Sequence, residues 1–276
     1  MKYAVRVMSH MTAGELVHRS RGGVKEATRD REMLGWIDRF RYTNVELLAI
    51  RFGVAPQNVR VRLKRLEAGG LVRLQRRSIT EPWVVSVTAA GARAIGQTPR
   101  PAPRVDIHQA HELAIGWLCA RLETSERASG STVLTEREMR RRERNRRREG
   151  LGPRYALELP GMPRGQRTRW PDLVINAHGE PVRALELEFT QKSDQRLEAI
   201  IDAYLLGPFP DVVYLTADPN LTGKLARVIT SCRHGLLALD SQVNVRVVPW
   251  PRASAATQAL IRARMQAYEQ ADTLDV

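Results

Sequence analysis

The chain has 276 residues, 44 Lys and Arg against 30 Asp and Glu, a net charge of +14 and 43% hydrophobic residues. That is long enough for two domains with separate cores and too apolar for a disordered chain. No apolar run approaches the roughly 18 residues of a membrane span. Met1-Lys2-Tyr3-Ala4-Val5-Arg6 has no signal-peptide core, and Cys119 and Cys232 lack disulfide-framework or metal spacing, so we expect a cytoplasmic protein with free thiols and no membrane partner.

The positive charge is concentrated. Residues 1–100 carry a net +11, residues 101–150 a net +3 and residues 151–276 none. Clustered arginine is the footprint of a polyanion partner, because the guanidinium stays charged and matches phosphate at two points.

Residues 1–28 are weakly periodic and read as a flexible basic arm. Arg29–Phe40 predicts a helix with Met33, Leu34, Ile37 and Phe40 inward. Thr43 can cap a second helix with Val45, Leu47, Leu48 and Ile50 inward. Phe52-Gly53-Val54 makes a tight turn that needs positive φ at Gly53. Pro56 opens a third helix at the first-turn position proline tolerates best. Val59, Leu63 and Leu66 point inward, and Gln57, Asn58, Arg60, Arg62, Lys64 and Arg65 form the other face. Amides and arginines at a helix start are the side chains that read base edges and clamp phosphates in a major groove. Gly69-Gly70 stops this helix. Leu71–Arg77 and Trp83–Val87 then form a hairpin bearing Arg73, Arg76 and Arg77, and Thr88–Ile95 a last helix. The order helix, helix, glycine turn, basic helix, Glu67-Ala68-Gly69-Gly70-Leu71-Val72 and basic hairpin resembles the winged helix-turn-helix superfamily. The resemblance implies an α+β domain over residues 29–96 that binds double-stranded DNA; the same fold also serves as a protein-binding module.

Pro99, Pro101 and Pro103 punctuate residues 97–104, a predicted semi-rigid linker. The second domain, 105–276, opens with a helix over Val105–Glu123. Another helix starts at Thr135, where Glu138 completes a capping box, and ends at Gly150. It carries eight arginines between Arg137 and Arg148. Glu136–Arg140, Glu138–Arg142 and Glu143–Arg147 are candidate i,i+4 ion pairs. They leave a surplus of arginine for a second phosphate-contacting surface. Strands are expected at Tyr155–Leu159, Trp170–Asn176 and Val182–Thr190, a helix at Asp194–Leu206 and a strand at Val212–Thr216. A helix at Leu221–Cys232, a strand at Val243–Pro249 and a helix at Ala255–Gln270 follow. This mixed order implies an α/β sandwich around a small mixed sheet. The last helix, with Leu260, Ile261 and Met265 on one side, is a candidate homodimer contact or a cover for the sheet.

Trp170-Pro171-Asp172-Leu173-Val174-Ile175 and Ala184-Leu185-Glu186-Leu187-Glu188-Phe189 hold the candidate chemistry. Strand alternation sets Glu186 and Glu188 on one face and Leu185, Leu187 and Phe189 on the other. With Asp172 across a hairpin, the three acids are candidate ligands for Mg²⁺ or Mn²⁺; the alternative is a Pro-Asp turn beside a solvated strand face. Asp172 followed by Glu-x-Glu resembles the PD-(D/E)xK nuclease fold. The resemblance implies catalytic roles for Asp172, Glu186 and Glu188 in a Mg²⁺-dependent endonuclease or nickase. The family's motif lysine is replaced by Glu188, which leaves Lys192, expected to open a helix, as the candidate cation. His108 and His111 share a helix at zinc-compatible spacing, with packing or capping as the alternative. Glu112 is a further candidate acid.

Over residues 30–220 the chain resembles the actinobacterial replication-relaxation family. The likeness lies in the N-terminal winged helix, His111-Glu112-Leu113-Ala114-Ile115, Thr135-Glu136-Arg137-Glu138-Met139-Arg140, the two acidic motifs and the Tyr204 helix. It implies a DNA-binding protein of a plasmid or integrative element, acting in replication, DNA relaxation or conjugative transfer, with replication or transfer proteins as partners. No catalytic residues carry over from it.

Overall fold

The computed structural model describes residues 23–76, 83–101, 103, 109–126, 130–159, 161–163, 165, 167–235 and 243–249. It is a mixed α and β structure in two compact units, Met1–Asp106 and Ile107–Val276. Among the described residues no helix is long and apolar enough to cross a membrane.

The first unit contains α1 (Gly23–Ile37), β1 (Thr43–Asn44), α2 (Val45–Phe52), α3 (Pro56–Ala68), β2 (Val72–Gln75), β3 (Val84–Val87) and α4 (Ala89–Ala94). The strands form an antiparallel sheet in the order β1-β3-β2. Helix α1 begins six residues before the expected start, so residues 23–28 are helical rather than part of an arm. Asn44, not Thr43, caps α2: its side chain accepts from the Leu47 amide at 2.9 Å, while Thr43 lies buried in β1. Ile50 is 39% exposed and Ala49 is buried in its place, and α2 ends in a tight turn at Gly53 with φ 62°. That left-handed conformation favours glycine. The core closes over Leu34, Ile37, Leu48, Leu63, Val84 and Val85.

Two described residues of the proline-rich segment, Arg100 and Pro103, hydrogen-bond to earlier residues of the first unit. Arg100 Nη2 donates to the Asp38 carbonyl at 3.0 Å, and Gln75 Nε2 to the Pro103 carbonyl at 3.2 Å. Helix α4 sits directly on the end of α3. Thr88 Oγ1 donates to the Gly70 carbonyl at 2.6 Å, and a Cβ on Gly91 would lie 2.0 Å from the Leu71 carbonyl oxygen.

The second unit contains α5 (Gln109–Glu126), β4 (Thr132–Thr135), α6 (Glu136–Arg148), β5 (Leu157–Glu158), β6 (Thr168–Arg169), β7 (Leu173–Ala177) and β8 (Glu180–Leu187). After these come α7 (Asp194–Leu205), β9 (Asp211–Thr216), α8 (Pro219–Gly235) and β10 (Asn244–Pro249). Five strands form one mixed sheet in the order β10-β9-β8-β7-β4, with β8, β9 and β10 parallel and β8, β7 and β4 antiparallel. The edge strand β4 was not anticipated; its run of four residues is too short for a clear alternation. The β7–β8 connection is the two-residue turn His178-Gly179, both at positive φ, as the right-handed twist of a tight hairpin requires.

Helices α7 and α8 cover one face of the sheet, burying Leu197, Ile200, Ile201, Leu225 and Ile229 against Val174, Ala184, Val212 and Val245. Helix α5 contacts β4 and β8. Leu173, Leu185 and Leu187 are buried and, by alternation, point to the face opposite Val174 and Ala184. The sequence expected at Ala255–Gln270 as a helix lies outside the described residues.

Candidate functional site

Helix α3 separates its side chains by the helical period. Val59, Leu63 and Leu66 are buried, whereas Gln57, Asn58, Arg60, Lys64 and Arg65 are exposed. Val61, 52% exposed, shares the outer face. Arg62 departs from the expected set. It lies three residues after Val59 and four before Leu66, on the flank of the buried stripe, and its Nη1 meets Asp30 Oδ1 at 2.7 Å. Arg62 therefore ties α3 to α1 rather than standing on the polar face. Arg73 and Arg76 are exposed on the hairpin, and the Arg76 guanidinium lies 4.9 Å from the ring centre of Trp83, itself 49% exposed. Arg77 lies outside the described residues.

In the second unit the register sets Leu173 opposite Leu185, which brings Asp172 beside the end of β8. Asp172 Oδ2 accepts from the Leu187 amide at 2.8 Å and lies 3.4 Å from His111 Nε2. The same ring nitrogen is 3.0 Å from the Leu187 carbonyl oxygen, and the imidazole meets Phe189 edge-on at 5.7 Å. Burial opposes the charged imidazole. The Asp172 carboxylate, the Leu187 carbonyl and the charge of Glu112 outweigh it and raise His111 to about 9. Burial likewise opposes the Asp172 carboxylate, yet His111, Arg169 and the Leu187 N–H hold it below the ordinary value. His111 is thus an imidazolium at neutral pH, a proton donor rather than a base.

Glu186 and Glu188 are not a solvated strand face; they are 1% and 3% exposed. Glu186 receives Arg169 at two points, Nη2–Oε2 2.6 Å and Nε–Oε1 3.3 Å, and the Tyr204 hydroxyl also donates to Oε1. Burial, with Asp172 nearby, raises Glu186 against the pull of Arg169 and Tyr204. Burial and the Glu186 charge push the Tyr204 and Tyr214 phenols well above their ordinary value. Glu188 pairs with Lys192 and lies 3.4 Å from Thr190 Oγ1. Lys192 does not open a helix: Ser193 caps α7, and Lys192 lies before it with its ammonium turned back to Glu188.

The expected metal set is therefore not assembled. Asp172, Glu186 and Glu188 each face a different base, and among the described residues no group of three or more His, Cys, Asp and Glu is placed to hold a metal ion. The residues as placed do not fit Mg²⁺ or Mn²⁺, whose ligands must present free oxygens to one centre. His108, the proposed zinc partner of His111, lies outside the described residues. Arg169 and Tyr204 are the members that sequence reasoning missed, and His111, a zinc candidate by spacing, instead partners Asp172. Arg169 adjoins the Pro171-Asp172 motif and was within reach of it; the His111 and Tyr204 contacts join residues 61 and 18 positions away from their partners, with no local signature.

No protein-family model, curated protein or solved structure matches the chain.

Proposed function

We propose that the N-terminal unit is a winged helix-turn-helix that binds double-stranded DNA at a specific site. We further propose that the protein serves a plasmid or integrative element in replication, DNA relaxation or conjugative transfer. The observation that carries the DNA reading is the division of α3. An apolar stripe is sealed into the core, while Gln57, Asn58, Arg60, Lys64 and Arg65 stand exposed together beside a hairpin bearing Arg73 and Arg76. Exposed amides can read base edges, and the cations hold the phosphates that fix register. The net charge of +11 on residues 1–100 supports the same partner. The element-specific setting rests on the replication-relaxation resemblance, and the strand order of the second unit supports a PD-(D/E)xK-like core.

Selection of bound duplexes from a randomised pool, with binding followed against salt, tests this. Wild-type protein is expected to enrich one sequence with a steep salt dependence. Gln57→Ala/Asn58→Ala should flatten the enrichment, and Arg60→Ala/Lys64→Ala/Arg65→Ala should weaken binding to all duplexes. A wild-type protein that retards no duplex at low salt would refute the reading.

A further inference from the structure

Helix α6 has eight arginines among 13 residues. Three i,i+4 carboxylates are available along the helix to neutralise them, but only one is used that way: Arg140 Nε meets Glu136 Oε1 at 2.6 Å. Glu138 turns back to the helix start, where its Oε2 accepts from Thr135 N at 2.9 Å and from Thr135 Oγ1 at 3.0 Å. Glu143 is 2% exposed and accepts the backbone N–H groups of Arg154 and Tyr155. Two of the three acids are thus committed to holding the helix in place, one as a cap and one as a buried anchor beside Met139.

Their i,i+4 partners, Arg142 and Arg147, are left without them. Arg142, Arg144, Arg147 and Arg148 are exposed and form no ion pair with the described residues. Arg144 lies three and four residues from Arg147 and Arg148, a spacing at which like charges disfavour a helix. The helix is stabilised from its inner side and charged on its outer side beyond anything its own folding uses. The exposed guanidiniums stand on a helix whose position is fixed by backbone-linked contacts, so their spacing is preset, and each offers a planar donor fork matched to phosphate oxygens.

We propose that this arginine face of α6 is a second DNA contact, one that takes the phosphate backbone of a duplex without regard to sequence. Its chemistry is dominated by charge and guanidinium geometry, with Asn145, exposed beside Arg144, the single amide on the helix. The duplex as partner rests on the DNA-binding reading above; the arginine face rests on α6 itself.

The test uses the full chain and a random-sequence duplex, with affinity measured by fluorescence anisotropy over a salt series. Each lost phosphate contact lowers the slope of log affinity against log salt by about 0.9, so Arg144→Ala/Arg147→Ala/Arg148→Ala should lower it by about 2–3. The same three positions changed to Lys should retain the wild-type slope, which separates lost charge from lost folding. An alanine variant with the wild-type slope would overturn the proposal. Arg60→Ala/Lys64→Ala/Arg65→Ala, measured alongside, keeps the two readings apart. If it leaves affinity untouched while the α6 variant lowers it, the N-terminal reading fails and the α6 contact stands; the reverse pattern sinks α6 alone. Binding to phosphatidylserine vesicles that depends on the α6 arginines, with no change in DNA slope, would assign the face to a membrane surface and overturn the proposal as well.

Discussion

Arg169 grips Glu186 at two points inside the second unit, Nη2 to Oε2 at 2.6 Å and Nε to Oε1 at 3.3 Å, with the carboxylate only 1% exposed. A buried carboxylate and a guanidinium only 20% exposed, so placed, stabilise little beyond an apolar pair of the same shape, but the carboxylate alone is costly. Arg169→Met and Glu186→Leu should each lower stability by about 3–5 kcal/mol, and the double variant should recover most of that loss. Urea unfolding of the four proteins measures it. A double variant as unstable as the sum of the singles would show that the pair contributes as two independent contacts.

His111 makes stability depend on alkaline pH. Its folded value is raised to about 9 from an ordinary 6.5, so the fold favours the protonated ring. That contribution is complete below about 6.5 and disappears as pH rises through about 9. His111→Gln should therefore lower stability by about 1–3 kcal/mol near pH 6, the scale of a hydrogen bond to a charged group. The deficit should shrink to near zero by pH 10. Unfolding curves at the two pH values decide it, and a deficit that persists unchanged at pH 10 would mean that packing against Phe189, not charge, is what His111 supplies.

Divalent metal should leave stability unchanged. Asp172, Glu186 and Glu188 are each engaged by His111, Arg169 and Lys192, so a cation must first separate those pairs. Millimolar Mg²⁺ or Mn²⁺, compared with EDTA, is expected to move Tm by less than about 1 °C, since only a ligand that binds the folded state raises it. A rise of several degrees that Asp172→Ala abolishes would show that the pairs open to take a metal, and would return the three acids to a common centre.

Much of the fold was legible in order and type. Gly53 and Pro56 punctuate the first unit as their backbone restrictions demand, and Thr135 with Glu138 forms the expected capping box. The misplacements have physical causes. Asn44 rather than Thr43 is the cap because α2 begins at Val45, which puts the Asn44 side chain within reach of the Leu47 N–H. Arg62 left the polar face because Asp30, 32 residues earlier, lies within reach of the helix flank.

By itself, then, the amino-acid order determined what depends on neighbours along the chain: the buried stripe of α3, the glycine turns, the caps and the placing of net charge. Only the tertiary structure decided the partners of the acids that pair at long range. Asp172 joins His111, Glu186 joins Arg169 and Tyr204, and Glu143 turns inward to the Arg154–Tyr155 backbone. A carboxylate's partner is chosen by which cation or N–H lies within about 3 Å once the sheet has formed. Nothing in local spacing encodes that distance. The Glu143 contact also takes from Arg147 its i,i+4 counter-charge and leaves that arginine exposed on α6.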